Sequence, residues 1–457
     1  MGLAAGLVVF LKPTWAFIAA LLALCSAITD IRKNWTKRKF KGKAIGAGIL
    51  VLSCLFMLTL SYLRIDAPPI ADDYTIKDLR SAPPECDQTY ELLGRLTDVD
   101  FKVHSMSPIG LSSQEISPLE EMHDLCKKRD FGAIMLVLQG NSDVIVTFWE
   151  DAKNGREVLA KLNEFPEIAD MAEPSLIMQK VPWLSSMRNL AFLYRIYSCL
   201  HSIQGNHRTA VDTLLEYDSF VRKLSLNARS VILNLVCIAC SDISIDTANF
   251  IINNPETPQE SLLFIRQHLI SDSPERTSPR NMLIFEYLTW KKRFLKTSND
   301  PRDRYRAITP LKLNSSLRLS RNFLDELIAT DEGRTQTVEL KVWPALYPNL
   351  PVEIGHDGEL PRYYEIYNPL GARIIDIYAP AINNLVRIRM EFKIRSDLLR
   401  IVLDKRLGRE VSLKARAYGD EYIVDIEDRR IFSPGQDGKA DTKDDIELPM
   451  NPDVLGW

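Results

Sequence analysis

The residues best suited to chemistry lie near the C-terminus, in Ile431-Phe-Ser-Pro-Gly-Gln-Asp437-Gly438-Lys-Ala-Asp441-Thr-Lys-Asp444-Asp445-Ile446. Four aspartates fall within nine residues, and carboxylates that close repel unless a cation sits among them. A calcium ion takes about six to eight oxygen ligands, largely carboxylates and carbonyls. Gly435 and Gly438 permit tight turns that aim carbonyls inward. The run is not an EF-hand, because the required glycine and the twelfth-position glutamate are out of place. The competing reading is a solvated acidic loop.

Elsewhere the chemistry is sparse. Cys237-Ile-Ala-Cys240 has redox spacing, but it sits deep in an apolar helical run with no neighbouring Lys, Arg or His. A reactive thiol needs exposure and a lowered pKa, so core packing is expected. Zinc is not expected, because no second ligand pair follows. Cys86 and Cys126 are the two cysteines to consider for a disulfide in an oxidising compartment, and two free thiols remain equally open. The six histidines form no close metal pair, and no G-x-S-x-G, Walker A or dinucleotide fingerprint is present. Glu120, Glu121 and His123 share one helical turn and read as a solvated face. Catalytic residues are therefore not assigned, although triads also assemble from distant positions.

Several elements must position the acidic run. Tyr367-Asn-Pro-Leu-Gly371 precedes a long helix over about 380–403, rich in Ile, Leu and Arg. Short strand candidates follow at Val411–Ala417 and Tyr422–Ile426, and Val338–Leu346 also alternates. Before them, residues 181–331 carry a strong 3.6-residue period. Leu184, Met187, Leu190, Ala191, Tyr194 and Tyr197 run up to Gly205-Asn206, and Ala210, Leu214, Tyr217, Phe220 and Val221 resume after it. Asn227–Ile252 holds the almost wholly apolar run Val231–Ala239 and should be central. Thr257-Pro258-Gln-Glu260 reads as a capping box, Ser278-Pro279 as another helix start, and Leu317–Ala329 as the last helix of this region. Ser117-Pro118-Leu-Glu-Glu121 also reads as a helix start. Gly132–Leu138 is compatible with a strand or a helix.

The N-terminal part is different in kind. Thr14–Thr29 and Ala44–Leu63 carry no charge, and twenty residues at about 1.5 Å rise cover a hydrocarbon core of roughly 30 Å. Between them lie Arg32, Lys33, Lys37, Arg38, Lys39, Lys41 and Lys43 against Asp30 alone. A cleaved signal peptide would have a shorter apolar stretch, basic residues first and no second span. A hairpin with its basic loop in the cytoplasm turns the N-terminus and everything after Leu63 outward. Lys12 is a counter-signal. Residues 65–86 hold Pro68, Pro69, Pro83 and Pro84 and read as an extended spacer. Residues 1–63 hold 8 basic and 1 acidic side chains (+7), and the rest 49 and 59 (−10). A body of that charge argues against nucleic acid as a partner.

Three segments resemble known families. Lys39-Phe-Lys-Gly-Lys-Ala-Ile-Gly-Ala-Gly-Ile-Leu resembles a family of short two-helix membrane domains of unknown function, which implies an anchor and no chemistry. Gly46 and Gly48 would let a second helix approach, or else face lipid. The helix, Gly-Asn turn, helix with Ala210 early in the second helix looks like a tetratricopeptide-type hairpin, though without a strict 34-residue repeat. Ser-Pro-Gly-x-Asp-Gly-Lys followed by Thr-x-Asp-Asp-Ile resembles the C-terminal calcium loop of major pseudopilins of type II secretion, where a long helix precedes a small sheet and an ion-ordered loop. By that match Asp437 and Asp445 are the first ligands, Asp441 and Asp444 the next, and Ser433 and Lys439 give backbone oxygens. A pseudopilin has one span and a processing site with Glu at its fifth mature position. This chain has two expected spans, no such site and a large helical insert, so assembly into a pseudopilus is not expected. The overall layout looks like a group of uncharacterised envelope proteins of planctomycete and verrucomicrobial bacteria.

The expected fold is thus mainly α, with two transmembrane helices, an irregular α-helical hairpin array and a small α+β C-terminal module. The expected domains are a transmembrane hairpin over 1–64, a linker over 65–86, a helical domain over 87–331 (tetratricopeptide-like from about 181), and a pseudopilin-like module over 332–457 with its acidic loop at 433–446. Two function classes follow. One is an interaction or scaffold protein in a bacterial cytoplasmic membrane, its body on the periplasmic side, with a protein or peptide partner and Ca2+ as a structural ion. The other is an envelope hydrolase with a site between the helical domain and the C-terminal module, which predicts a pocket holding a carboxylate pair or a His–Asp contact with perturbed pKa. The oligomeric state is left open.

Overall fold

The computed structural model describes residues 69–70, 73–79, 85–96, 131–168, 183–269, 280–299, 313–331, 369–415, 418, 421–435 and 438–457. The expected spans, most of the linker, the helix start at Ser117, the strand at 338–346, Cys126 and Asp437 lie outside these residues. What is described is mainly helical, with one small sheet near the C-terminus. The helices are α1 Cys86–Arg95, α2 Phe131–Gly140, α3 Ser142–Asp151, α4 Lys153–Glu164, α5 Trp183–Ile203, α6 His207–Ser225, α7 Val231–Asn253, α8 Gln259–His268, α9 Arg280–Asn299, α10 Leu313–Asp331 and α11 Pro369–Arg406. The strands β1 Ile423–Asp425, β2 Arg430–Ser433 and β3 Ile446–Pro449 form an antiparallel meander in the order β1-β2-β3, and the short α12 Pro452–Leu455 follows. Gly132–Leu138, ambiguous in the sequence, is helical within α2.

The residues divide into two compact units. The larger comprises 74–289, 327–337 and 380–457. At its centre α5, α6 and α7 pack on one another. The α5–α6 turn forms because Gly205 takes φ +78, and the Asn206 N–H then donates back to the His201 carbonyl at 2.9 Å, closing the end of α5. Ala210, small and fully buried, permits the close approach, and Ser198 Oγ donates to its carbonyl. Ser230 caps α7 by accepting from Leu233 N–H at 3.2 Å. The expected capping box at Thr257 does not form. Pro258 is the N-cap of α8, and Thr257 Oγ1 donates to the Ile251 carbonyl at 2.7 Å, closing α7 rather than opening α8.

Three apolar clusters hold this unit. One joins α1, α4, α5, α6 and α7 around Leu93, Leu159, Tyr194, Phe220 and Cys240. A second seats α2 and α3 on α5 through Ile134, Leu138, Ile145, Ile196 and Phe250. The third runs from α6, α7 and α8 through Ile394, Leu398 and Val402 of α11 to Ile431, Leu448 and Leu455. Helical middle and C-terminal sheet therefore share one core. At roughly 1.5–3 kcal/mol per fully buried aliphatic side chain, that shared cluster is a large term. The smaller unit comprises 1–73, 290–326 and 338–379. In its described part Lys291 Nζ pairs with Asp73 at 2.6 Å, and Phe294, Leu317 and Leu324 are buried.

α7 is the one single helix, among the described residues, long and apolar enough to cross a membrane, and half of its most apolar window is buried inside the protein. Its polar side chains explain why it sits in a core. Asn249 Nδ2 donates to the Pro449 carbonyl at 2.7 Å, and Asn253 Oδ1 accepts from Asn451 N–H at 2.6 Å. These amides satisfy backbone groups beside β3, an edge strand whose free groups would otherwise invite another chain.

Candidate functional site

The C-terminal loop is built on β2 and β3. The sheet register sets Arg430 opposite Asp425 on β1 and Pro449 on β3, with Glu447 two residues before Pro449 and opposite Phe432. The loop leaves β2 through Gly435 at φ +68, where an added Cβ would collide with the Asp444 backbone. Gly438 at φ +67 and Asp441 at φ +63 make further left-handed turns. Asp441 tolerates this because its N–H donates to Asp445 Oδ2 at 2.9 Å. Thr442 Oγ1 donates to Asp444 Oδ1 at 2.6 Å.

The cation at the centre of this cluster is a side chain. The Arg430 guanidinium pairs with Asp425 at 3.5 Å, Asp428 at 3.4 Å, Asp445 at 3.7 Å, Glu447 at 3.2 Å, and with Asp441. It also lies over the Phe432 ring, 4.4 Å from the centroid. The backbone N–H of Asp428, with help from Arg430, holds the Asp425 carboxyl below its usual range. Five carboxylates to one guanidinium leave the cluster with four surplus negative charges.

Of the residues expected to ligate calcium, the structure brings Asp441 and Asp445 together on Arg430 and turns Asp444 towards Thr442. Ser433 is buried in β2, where its Oγ donates to the Tyr418 carbonyl at 3.3 Å. The Lys439 carbonyl accepts from Thr442 Oγ1 at 3.2 Å, and Asp437 lies outside the described residues. The donor chemistry, hard oxygens with surplus negative charge, suits Ca2+. Among the described residues, however, no three or more His, Cys, Asp or Glu are grouped to hold a metal ion. Two of the expected ligands are engaged by Arg430, the residue that reading the sequence for metal ligands passed over.

A second charged cluster lies between α7 and α11. Arg395 of α11 pairs with both Asp242 and Asp246 of α7, and Arg195 of α5 reaches Asp246 at 3.4 Å. Burial, outweighing the attraction of Arg395, pushes the Asp242 carboxyl up to about 6. Asp246 bears on two guanidiniums and Asp242 chiefly on one. The spacing of the aspartates, i and i+4 on one face of α7, was visible in the sequence. Their shared partner Arg395, 153 and 149 residues later, was not.

A cavity of about 320 Å3 opens elsewhere, at the start of α6 and α8, lined by Gly205, His207, Arg208, Val211, Pro258, Glu260, Ser261 and Phe264. Arg208 is paired with Asp212 at 3.0 Å and lies over the Phe264 ring. Burial holds the His207 ring below its usual range. The cavity contains one carboxylate, that of Glu260, so the Asp242–Asp246 pair and this cavity are separate places.

Cys237 and Cys240 are buried in the cluster of α5, α6 and α7. Burial pushes the Cys240 thiol up to about 12, against a lowering contact with Tyr217. Cys240 is therefore not a poised nucleophile at neutral pH, and the burial of both cysteines agrees with the core packing read from the sequence. No family model, curated protein or solved structure matches the chain.

Proposed function

We propose that the protein is a membrane-anchored, outward-facing interaction or scaffold protein of the bacterial envelope, with a C-terminal loop ordered by a structural Ca2+. The observation that favours a scaffold over a hydrolase is the state of the charged groups. The carboxylate pair on α7, the feature a hydrolase would use, is bridged by Arg395 and shares no residue with the cavity at the start of α6 and α8. Its arrangement suits holding α11 on α7. The two uncharged runs flanking a basic loop support the anchor. Surplus carboxylate charge at the loop and its oxygen-only donors support the ion. The resemblance of the Ser433–Ile446 run to a pseudopilin calcium loop supports the same assignment.

The loop would hold Ca2+ through Asp437 and Asp445 first, then Asp441, Asp444 and the backbone oxygens of Ser433 and Lys439. Asp441 and Asp445 would then be shared with, or released from, Arg430. The bound ion would supply charge neutralisation and loop order. The test is thermal unfolding of the full chain in detergent, with Ca2+ and with chelator, beside an Asp437→Ala, Asp445→Ala double variant. A melting rise with Ca2+ in the wild type that the variant lacks is the expected result, since a ligand stabilises the state that binds it. No rise in either protein removes the ion from the proposal and leaves the Arg430 guanidinium as the cation at the centre of the cluster.

A further inference from the structure

The cavity at the start of α6 and α8 lies where two helices begin, and neither is capped by a side chain. The Asn206 amide, placed to cap α6, lies 3.3 Å from the His201 ring instead. Pro258, at the cap of α8, has no side-chain acceptor, and the Thr257 hydroxyl is committed to α7. The first intrahelical bonds run from Ala210 N–H to the Asn206 carbonyl and from Leu262 N–H to the Pro258 carbonyl. The N–H groups ahead of them therefore have no acceptor within their own helices. Side chains in the same wall are also left open. Ser261 lines the cavity and is only 7% exposed, yet its hydroxyl has no hydrogen-bond partner among the described residues. His207 Nδ1 is buried and likewise without a partner there. Asp212 takes Arg208 Nε alone, so the two terminal nitrogens of that guanidinium are unengaged among the described residues. Buried polar groups are normally satisfied, so this concentration of open donors around one cavity points to a ligand.

We propose that this cavity binds a free α-amino acid with an apolar side chain. Each part of the wall meets one part of such a zwitterion. The carboxylate is met by the two helix starts, the Ser261 hydroxyl and the terminal nitrogens of Arg208, which supply donors and positive potential together. The ammonium is met by Glu260, which lines the same cavity with no ion-pair partner among the described residues. The apolar side chain is met by Val211 and by the Phe264 ring, whose centroid lies 4.3 Å from the Arg208 guanidinium. Charge selects the zwitterion. A bare anion meets Glu260 in the wall and Glu256 close enough to act on His207. A bare cation meets Arg208 and two positive helix ends. Size selects a small molecule, because about 320 Å3 stands at the lower end of the range for ligand pockets. The site uses no residue of the acidic loop or of the expected membrane spans, so the inference goes beyond the scaffold reading and does not rest on it.

The test is isothermal titration calorimetry on the full chain in detergent with a chelator present, so that the loop and its ion play no part. The probes are L-leucine and L-phenylalanine, and saturable binding of at least one is expected. Isocaproate lacks the ammonium of leucine and isoamylamine lacks its carboxylate, and each should bind about tenfold more weakly than leucine, or worse. Glu260→Gln should weaken leucine about tenfold and leave isocaproate unchanged, whereas Arg208→Gln should weaken both. Both side chains are exposed, so the two variants should keep the wild-type melting temperature. No binding of either probe overturns the inference. Isocaproate binding as tightly as leucine, or leucine binding to Glu260→Gln as it does to wild type, overturns the zwitterion and leaves a carboxylate site. An N-acetylated peptide ending in leucine that binds more tightly than leucine also overturns it, in favour of a peptide carboxyl terminus.

Discussion

At the scale of single residues, Arg395 is the most consequential side chain described. It joins two aspartates of α7 to α11, and removing it leaves a pair of half-buried like charges facing each other. Arg395→Met should destabilise the protein by about 3–5 kcal/mol, and Asp242→Asn in the same chain should recover part of that loss, measured by urea melts. Asp242 also gives the sign of a pH effect. Its folded pKa of about 6 is above that of an ordinary aspartate. Its stabilising contribution is therefore complete below the unfolded value of about 3.9 and declines as pH rises through about 6. Asp242→Asn should flatten the melting temperature across that window relative to wild type. An unchanged slope would remove Asp242 as its source.

At the scale of elements, the C-terminal loop depends on backbone geometry at one glycine. Gly435 has a positive φ, and a Cβ there would strike the backbone of Asp444. Gly435→Ala should therefore cost roughly 1–3 kcal/mol, read as a lowered thermal midpoint with and without Ca2+. Gly438 also has positive φ, but its Cβ position is open, so Gly438→Ala should cost less. The same contrast of position against type separates the two polar stripes of α7. Asn249 and Asn253 serve the edge of the sheet, while Asp242 and Asp246 serve α11.

At the scale of the whole molecule, the shared core between helical middle and C-terminal sheet matters most. Ile394, Leu398, Val402, Ile431 and Leu448 pack with Ala210, Ile251, Leu262 and Ile265. Arg406 adds polar ties, donating to the Val454 carbonyl and to the Pro255 carbonyl, each at 3.0 Å. Arg266 pairs with Asp404 at 3.0 Å. A chain ending at Asp331 would expose the α6, α7 and α8 side of this cluster to water. Such a truncation should lose cooperative unfolding or aggregate, checked by calorimetry and light scattering. A truncated chain with a sharp transition near the full-length midpoint would show that the helical part is self-sufficient.

The sequence by itself determined the helical class, the approximate limits of the helices between 183 and 331, the Gly205-Asn206 turn, the centrality of α7 and the burial of Cys237 and Cys240, whereas α11 begins at Pro369, eleven residues before the expected start. These follow from local period, capping chemistry and the continuous apolar run from Val231 to Ala239, all of which act within one helix. The tertiary structure decided what the charges do. Nothing near Asp242 or Asp246 in sequence indicates Arg395, and the run of aspartates after Gly435 shows its charge but not that Arg430 sits among them. It also decided the use of Thr257, whose hydroxyl joins the Asn254 N–H on the Ile251 carbonyl at the end of α7. Periodicity is local and survives in one dimension. Ion pairing and edge capping join residues 11 to 200 positions apart, and only the folded backbone brings those together.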